Sequence, residues 1–289
     1  MSHKIGLKKG VPVICFSNFA NEIYNFHSTD SEELFLDNKN KLGEGWYYYN
    51  NPIEYKFNSW GYRTKEFNDL NDDYLLTFGC SYTEGIGLHY EDQWTTKFAK
   101  KLNLDIFNLG MGGTGIDFQY MNTMLFHNFL IKNNKPPKLV VYQWPASNRT
   151  MAFFLKKDEP KLYLDFFSAH FKKLEGNNPL NSFSDWYNMS FVENQGELLK
   201  NLFLYITFCN NIWKSMNVPV LNYSWSIYEP EYKYKNVFDF EINVPTISDT
   251  TSHFKARDMG HSGPLSQDLV IENLTNQLIE KNIYTTFIK

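Results

Sequence analysis

Short apolar runs alternate with segments of helical periodicity between residues 74 and 142. Three runs have the length and composition of buried parallel strands: Tyr74–Phe78, Asp105–Leu109 and Leu139–Tyr142. Two intervening segments carry an apolar residue at every fourth position: Trp94, Phe98 and Leu102 in the first, and Ile116, Tyr120 and Met124 in the second. This spacing predicts two helices, each with one apolar face. Strands that alternate with helices pair in parallel through right-handed crossovers, so the region predicts an α/β fold.

The alternation resumes in the carboxyl-terminal half of the chain. A helical pattern over Leu198–Met216 precedes the apolar run Val218–Tyr223, and a last amphipathic helix is predicted to begin near Pro264. Two stretches, at about 150–195 and 224–255, lack this rhythm and are predicted to be insertions. A fifth strand is expected within the second insertion, although no segment marks its position.

The first 70 residues are rich in Asn, Tyr and Gly and show little sustained periodicity. We predict that residues 1–70 form a loop-rich arm packed on a single domain of residues 71–289. Hydrophobic residues make up 43% of the chain and aromatic residues 18%. This composition supplies ample material for a packed core.

The charge balance excludes one class of partner. With 28 basic and 32 acidic residues, net charge -4, the chain lacks the basic excess that binds phosphate backbones, so nucleic acid is not expected. No apolar run approaches the roughly 18 residues that span a bilayer, and the amino terminus shows no secretion signal. Membrane insertion is therefore not expected. The expected location is the cytoplasm. Three widely spaced cysteines, Cys15, Cys80 and Cys209, are expected to remain reduced.

The first candidate for chemistry is the segment GCSYTEG at 79–85, directly after the first predicted strand. A serine at the carboxyl end of a parallel strand, on a tight turn before a helix, presents its hydroxyl at the crevice where α/β sheets bind ligands. Ser81 is therefore a candidate nucleophile. The same segment also fits a glycine-rich turn with a capping serine.

The second candidate is the segment RDMGHSGP at 257–264. A nucleophilic serine needs an imidazole to take its proton, and the imidazole needs a carboxylate to orient it. Asp258 and His261 are three residues apart, a spacing that allows a local hydrogen bond in a helical turn. The alternatives are a capping aspartate with a surface histidine, or a partial metal site with His253. Because no acidic or histidine cluster accompanies the segment, no metal and no cofactor is predicted.

The third candidate is the segment NLGMGGTG at 108–115, after the second predicted strand. Glycines allow backbone N–H groups to approach a substrate oxygen without an intervening Cβ, as an oxyanion hole requires. A phosphate-binding loop is the alternative, but the spacing is not G-x-G-x-x-G and no P-loop lysine follows.

Together, and in this order, the three segments resemble the SGNH or GDSL-like hydrolase family. The segment NSWGYR at 58–63 resembles the N-S-x-G-x-R sequence that precedes the nucleophile strand in many relatives. The resemblance covers residues from about 55 to 145 and from about 255 to 280. It implies a three-layer α/β/α sandwich with a mostly parallel, flavodoxin-like five-stranded sheet.

The resemblance also implies roles for individual residues. Ser81 matches the nucleophile, Asp258 the orienting acid and His261 the base, while Gly113 matches a backbone donor that forms the oxyanion hole together with the amide of Ser81. Cys80 stands where the family usually has aspartate.

The largest departure from the family lies after the third strand, where G-x-N-D is expected and the chain reads QWPASNR at 143–149. Asn148 could supply the missing oxyanion donor, Gln143 could replace it, or the donor could be absent. Losing one such donor costs on the order of 100-fold to 1000-fold in rate. Tyr82, Trp144 and Arg149 are predicted to contact substrate.

The predicted function is a serine esterase that hydrolyses an ester through an acyl-enzyme. A small molecule or a glycan ester is the expected substrate, with O-acetyl groups on carbohydrate preferred because the family implies them. One alternative is a weak or inactive SGNH-fold protein that binds carbohydrate or serves a structural role. Another is an O-acyltransferase that uses the same residues.

Overall fold

The computed structural model of the chain describes residues 2–6, 13–145, 149–156, 159–167, 195–225, 240–242 and 254–287. The strands are β1 Ser2–Gly6, β2 Cys15–Phe16, β3 Ile23–Tyr24, β4 Tyr55–Lys56, β5 Tyr74–Gly79, β6 Asp105–Gly110, β7 Leu139–Trp144, β8 Thr150–Lys156, β9 Glu159–Phe167, β10 Val220–Trp225 and β11 Phe240–Ile242. The helices are α1 Glu32–Leu42, α2 Ser81–Glu84, α3 Trp94–Lys101, α4 Ile116–Asn133, α5 Gln195–Ser215 and α6 Pro264–Glu280. Short 3-10 turns lie at Phe67–Asp69, Tyr90–Asp92 and Tyr284–Thr286.

A parallel sheet with strand order β11-β10-β7-β5-β6 forms the centre of the fold. β5 pairs with β6 on one side and with β7 on the other, and β11 pairs with β10 over three residues at the far edge. Numbered along the chain, the order is 2-1-3-4 followed by β11, which is the flavodoxin-like order. The predicted α/β class with a parallel sheet is confirmed. The connection from β5 leads to β6 on one side, and the next connection passes back over β5 to β7 on the other. The crevice outside the carboxyl ends of the strands at such a switch point is the usual ligand site.

Helices cover both faces of this sheet because consecutive strand residues point to opposite sides. One face packs against α3 and α6 through a buried cluster that includes Leu75, Val141, Phe98 and Leu274. The other face packs against α4 and α5 through a cluster that includes Leu76, Phe78, Phe126 and Trp213. The predicted strands and helices of residues 74–142, and the helices after residue 195, are confirmed by these elements.

Residues 13–70 contribute to the same core as α4. The ring of Phe16 lies 5.8 Å from that of Phe118, and the hydroxyl of Tyr62 accepts a hydrogen bond from Asn122 at 2.8 Å. This segment also contains α1, where the sequence showed little periodicity. Residues at its two ends set the limits of this helix. The Ser31 side chain accepts the amide of Leu34 at 3.2 Å at the start, and the chain turns at Gly43 after the last residue. The division of the chain at about residue 70 stays a prediction.

A second, antiparallel sheet has the strand order β2-β1-β9-β8. Its hairpin β8–β9 lies in the first predicted insertion, for which the sequence indicated no regular element. No helix in the described part of the chain combines the length and apolar character needed to cross a bilayer.

Candidate active site

Ser81 is the first residue of α2 and lies two residues after the carboxyl end of β5, next to the ends of β6 and β7. The helix is held close against β6, where a Cβ atom at Gly110 would lie 2.7 Å from the backbone nitrogen of Glu84. Only glycine permits this approach. Asn108 fixes the contact by donating from Nδ2 to the carbonyl of Thr83 at 2.7 Å. Ser81 therefore lies at the crevice that the strand order creates.

The Gln143 side chain anchors the amino-terminal end of α2 to β7. Its Oε1 atom accepts hydrogen bonds from the Cys80 amide and thiol, both at 3.1 Å, and from the Thr83 hydroxyl at 3.2 Å. Its Nε2 atom donates to the carbonyl of Trp144 at 3.0 Å, and the residue is buried. The hypothesis that Gln143 supplies an oxyanion donor is therefore wrong, because its amide is committed inside the protein.

Asp258 and His261 form a hydrogen-bonded pair. Nδ1 of His261 lies 2.6 Å from Oδ2 of Asp258, and Oδ1 of Asp258 accepts the amides of Gly260 and His261, each at 3.0 Å. Burial raises the pKa of the Asp258 carboxyl, but the hydrogen bonds and charge of His261, with a bond from Thr29, hold the pKa below its usual value. The carboxylate is thus kept ionised beside the imidazole.

This pair is attached to the loop that follows α2. The amide of Arg257 donates to the carbonyl of Gly87 at 2.8 Å, and the ring centroids of Tyr82 and His261 are 5.0 Å apart. Among the described residues, neither Ser81 Oγ nor His261 Nε2 has a hydrogen-bond partner, and the two are not bonded to each other. Catalytic hydrogen bonds are often long before substrate binds. The contacts of Arg257 with Gly87 and of His261 with Tyr82 thus bring two sequence-distant segments, 79–85 and 257–264, together at one end of the sheet.

The third segment, 108–115, also reaches this place. A Cβ atom at Gly112 would lie 3.8 Å from Cβ of Ser81, and Gly113 is exposed with a φ of +79°, a conformation that favours glycine. The amide of Gly112 is not free, because it donates to Oε2 of Glu84 at 2.5 Å. The predicted grouping of Ser81, the glycine turn and the Asp258–His261 pair thus has a geometric basis.

The amino-terminal segment contributes contacts that the sequence did not reveal. Thr29 donates from Oγ1 to Oδ2 of Asp258 at 2.7 Å, and Asp30 forms a buried ion pair with Arg257 at 2.7 Å. His27 Nε2 lies 2.8 Å from Oε1 of the buried Glu84. Contacts between segments this far apart in the chain leave no local pattern in a single sequence, so only the fold identifies them.

The predicted substrate-binding residues have different outcomes. Tyr82 is partly exposed beside His261. Trp144 is fully buried, stacks on Tyr142 at 4.7 Å and donates from Nε1 to Asn222, so the prediction that it contacts substrate is wrong. The backbone of Arg149 packs against the start of α4, and its role stays a prediction.

Two further expectations depend on residues without described positions, since both Asn148 and His253 lie outside the described ranges. The oxyanion role of Asn148 therefore stays a prediction. Within the described ranges, no three His, Cys, Asp or Glu side chains are grouped closely enough to hold a metal ion.

Comparison with known proteins gives matches among solved structures only. No family model and no curated protein matches the chain. It is similar to a protein assigned to the lipolytic G-D-S-L family from Desulfitobacterium hafniense, with 11% identity, a TM-score of 0.39, and coverage of 72% of this chain and 100% of that one. It is also similar to an acetyl xylan esterase from the rumen bacterium Butyrivibrio proteoclasticus, with 13% identity, a TM-score of 0.36, and coverage of 83% and 68%.

A third similar structure is a family two carbohydrate esterase from Clostridium thermocellum in complex with cellohexaose. It has 12% identity and a TM-score of 0.34, with coverage of 73% of this chain and 65% of that one. Because identities and TM-scores are this low, the residue roles proposed below rest on the contacts of this chain itself.

Proposed function

We propose that this chain is a serine ester hydrolase with Ser81 as nucleophile, His261 as general base and Asp258 as the acid that orients it. The observation that carries the proposal is the 2.6 Å contact between His261 Nδ1 and Asp258 Oδ2, on a segment bonded to the loop after α2. An imidazole held by a carboxylate has its other nitrogen free to accept a proton. Ser81 begins that helix, at the carboxyl end of β5.

The reaction proceeds through an acyl-enzyme. His261 Nε2 takes the hydroxyl proton as Ser81 Oγ bonds to the ester carbonyl carbon, and the amides of Ser81 and Gly113 stabilise the resulting oxyanion. The carbon–oxygen bond to the alcohol breaks, and the alcohol leaves with the proton from His261. Water then attacks the acyl-enzyme by the same proton transfers and releases the acid.

The finer proposal is that the acyl group is short, such as acetate, and is carried by a carbohydrate. Tyr82 supports it, because its ring is partly exposed 5.0 Å from the ring of His261 and an aromatic face next to the base suits a sugar ring. Comparing acetylated oligosaccharides with long-chain p-nitrophenyl esters tests this choice. Higher kcat/KM on the long-chain esters would contradict it.

Labelling with a fluorophosphonate probe and turnover of p-nitrophenyl acetate test the chemistry. We expect the wild-type protein to be labelled at Ser81, and Ser81→Ala and His261→Ala to reduce kcat/KM by at least about 10,000-fold. Matched controls are Ser215→Ala, at an exposed helix end, and His127→Ala, on α4, both of which should behave as wild type. Undiminished turnover in folded S81A would contradict the proposal.

A protein that binds carbohydrate without turnover is the second candidate. The observation in its favour is the hydrogen bond from the Gln143 amide to the Trp144 carbonyl, because Gln143 then supplies no oxyanion donor at the end of the third strand. Binding of an acetylated oligosaccharide by folded, unlabelled wild-type protein would favour it. An acyltransferase would instead be labelled at Ser81 and would form a new ester when an acceptor sugar is supplied.

A further inference from the structure

The segment His27–Asp30 forms a closed turn beside the candidate active site. The amide of His27 donates to the carbonyl of Asp30 and the amide of Asp30 donates back to the carbonyl of His27, both at 3.1 Å. A turn closed by two reciprocal hydrogen bonds holds its residues in one conformation. The two residues inside it, Ser28 and Thr29, are therefore presented in a fixed direction.

One ion pair and one contact between a histidine and a carboxylate attach this turn to opposite parts of the site. Asp30 pairs with Arg257 at 2.7 Å, and these side chains are only 1% and 2% exposed. His27 lies 2.8 Å from Glu84, the last residue of α2, whose side chain is fully buried. The turn is thus fixed both to the residue before Asp258 and to the helix that begins with Ser81.

Thr29 uses this position to bind the Asp258 carboxylate. Its Oγ1 atom donates to Oδ2 of Asp258 at 2.7 Å, and the same oxygen contacts His261 Nδ1 at 2.6 Å. The other oxygen of Asp258 accepts the amides of Gly260 and His261. Four donors therefore surround this carboxylate, and it cannot rotate without losing some of them.

We propose that Thr29 is a positioning residue of the hydrolase and that the 27–30 turn is a working part of its active site. The inference rests on the proposed function. The Thr29 hydroxyl keeps the Asp258 carboxylate directed at Nδ1 of His261. That contact fixes the tautomer in which Nε2 is free to take the proton of the nucleophile.

Thr29 is well suited to a clean test because the residue is exposed as a whole and its replacement leaves the core intact. Thr29→Val keeps the shape and removes the hydroxyl, whereas Thr29→Ser keeps the hydroxyl. We expect T29V to lower kcat about tenfold with KM unchanged, and T29S to remain close to wild type. Thr286→Val is the matched control, because Thr286 is also exposed and its hydroxyl donates to the carbonyl of Ile283 instead of to Asp258. T29V with a wild-type kcat would overturn the proposal.

The proton on His261 Nδ1 gives a second readout that needs no turnover. Its NMR resonance reports the short contact with Asp258, so we expect T29V to move it and T29S to restore it. If the wild type fails to react with fluorophosphonate while the resonance responds in this way, the hydrolase proposal fails and the positioning contact stands. An unchanged resonance in folded T29V would overturn the positioning role. Should T29V not fold, T29A is compared with T29S by the same two measurements, kcat and the His261 Nδ1 proton resonance.

Discussion

The two sides of the candidate site are held in different ways. On the nucleophile side, α2 is fixed by β6 and β7 through bonds from Asn108 and Gln143, which are 25 and 63 residues from their partners. On the base side, the Asp258–His261 segment is held by residues of the amino-terminal segment, such as Thr29 and Asp30, at separations of 229 and 227 residues. The nucleophile side thus follows from strand order, whereas the base side depends on a distant segment packing correctly.

The largest effect is expected from breaking the buried ion pair between Arg257 and Asp30, which holds the Asp258–His261 segment to the amino-terminal segment. Arg257→Met leaves the Asp30 carboxylate buried without its guanidinium partner, and breaking a buried pair in this way typically costs about 3–5 kcal/mol. We expect the free energy of unfolding, measured by urea denaturation, to fall by that amount. Esterase turnover should fall as well, because Asp258 is the next residue.

The control for R257M is a pair of similar chemistry on the surface. Lys41 and Asp37 lie 2.5 Å apart on α1 with side chains 66% and 53% exposed, so Lys41→Met should change stability by less than about 1 kcal/mol. If R257M were no more destabilising than K41M, the base side would not depend on the amino-terminal segment.

The corresponding test on the nucleophile side is Gln143→Leu. This change removes the acceptor of the Cys80 amide and of the Thr83 hydroxyl, and leaving buried donors without partners costs about 1–3 kcal/mol. We expect slower labelling of Ser81 by fluorophosphonate, while the Nδ1 proton resonance of His261 stays in place. That combination would show that the two sides are held independently.

A glutamine on the surface serves as the control for Q143L. Gln277 lies on α6, and among the described residues its side chain bonds only to the exposed Glu280, so Gln277→Leu should leave both labelling and stability close to wild type. A shift of the His261 resonance in Q143L would contradict the independence of the two sides.

The same difference explains which parts of the molecule the sequence predicted. Buried parallel strands appear as continuous apolar runs, so β5, β6 and β7 were predicted to within two residues. Their order along the chain then indicated that segments 79–85 and 108–115 lie at one edge of the sheet. The bond between Thr29 and Asp258 has no such signal, because each residue alone is an ordinary polar residue of a loop.

The burial of Trp144, by contrast, could have been predicted from the sequence. Tyr142 and Trp144 are two residues apart in one strand, so both point to the same face of the sheet. That face is the one that packs on α4 and α5, and both residues are buried there. Extending the predicted strand by two residues would have assigned Trp144 to the core.

Glu84 joins the two sides, because it lies in α2, pairs with His27 of the amino-terminal segment and accepts the amide of Gly112. Burial raises the pKa of its carboxyl, but His27 and the Gly112 amide, together with the charge of Arg63, hold the pKa below its usual value. A carboxyl with a depressed pKa in the folded state stabilises the protein above the pH at which glutamate usually titrates. That contribution is lost as the pH falls through the folded-state pKa.

Glu84→Gln keeps the size of the side chain and an acceptor for Gly112 but removes the charge. We expect wild type to be the more stable at neutral pH and the gap between the two to narrow as the pH falls below about 4.3, the ordinary glutamate value. Urea denaturation at a series of pH values measures this, with the exposed Glu272→Gln as control. A gap that stays constant down to the lowest pH would mean that the Glu84 charge does not link the two sides, and that the amide contact alone holds the glycine turn.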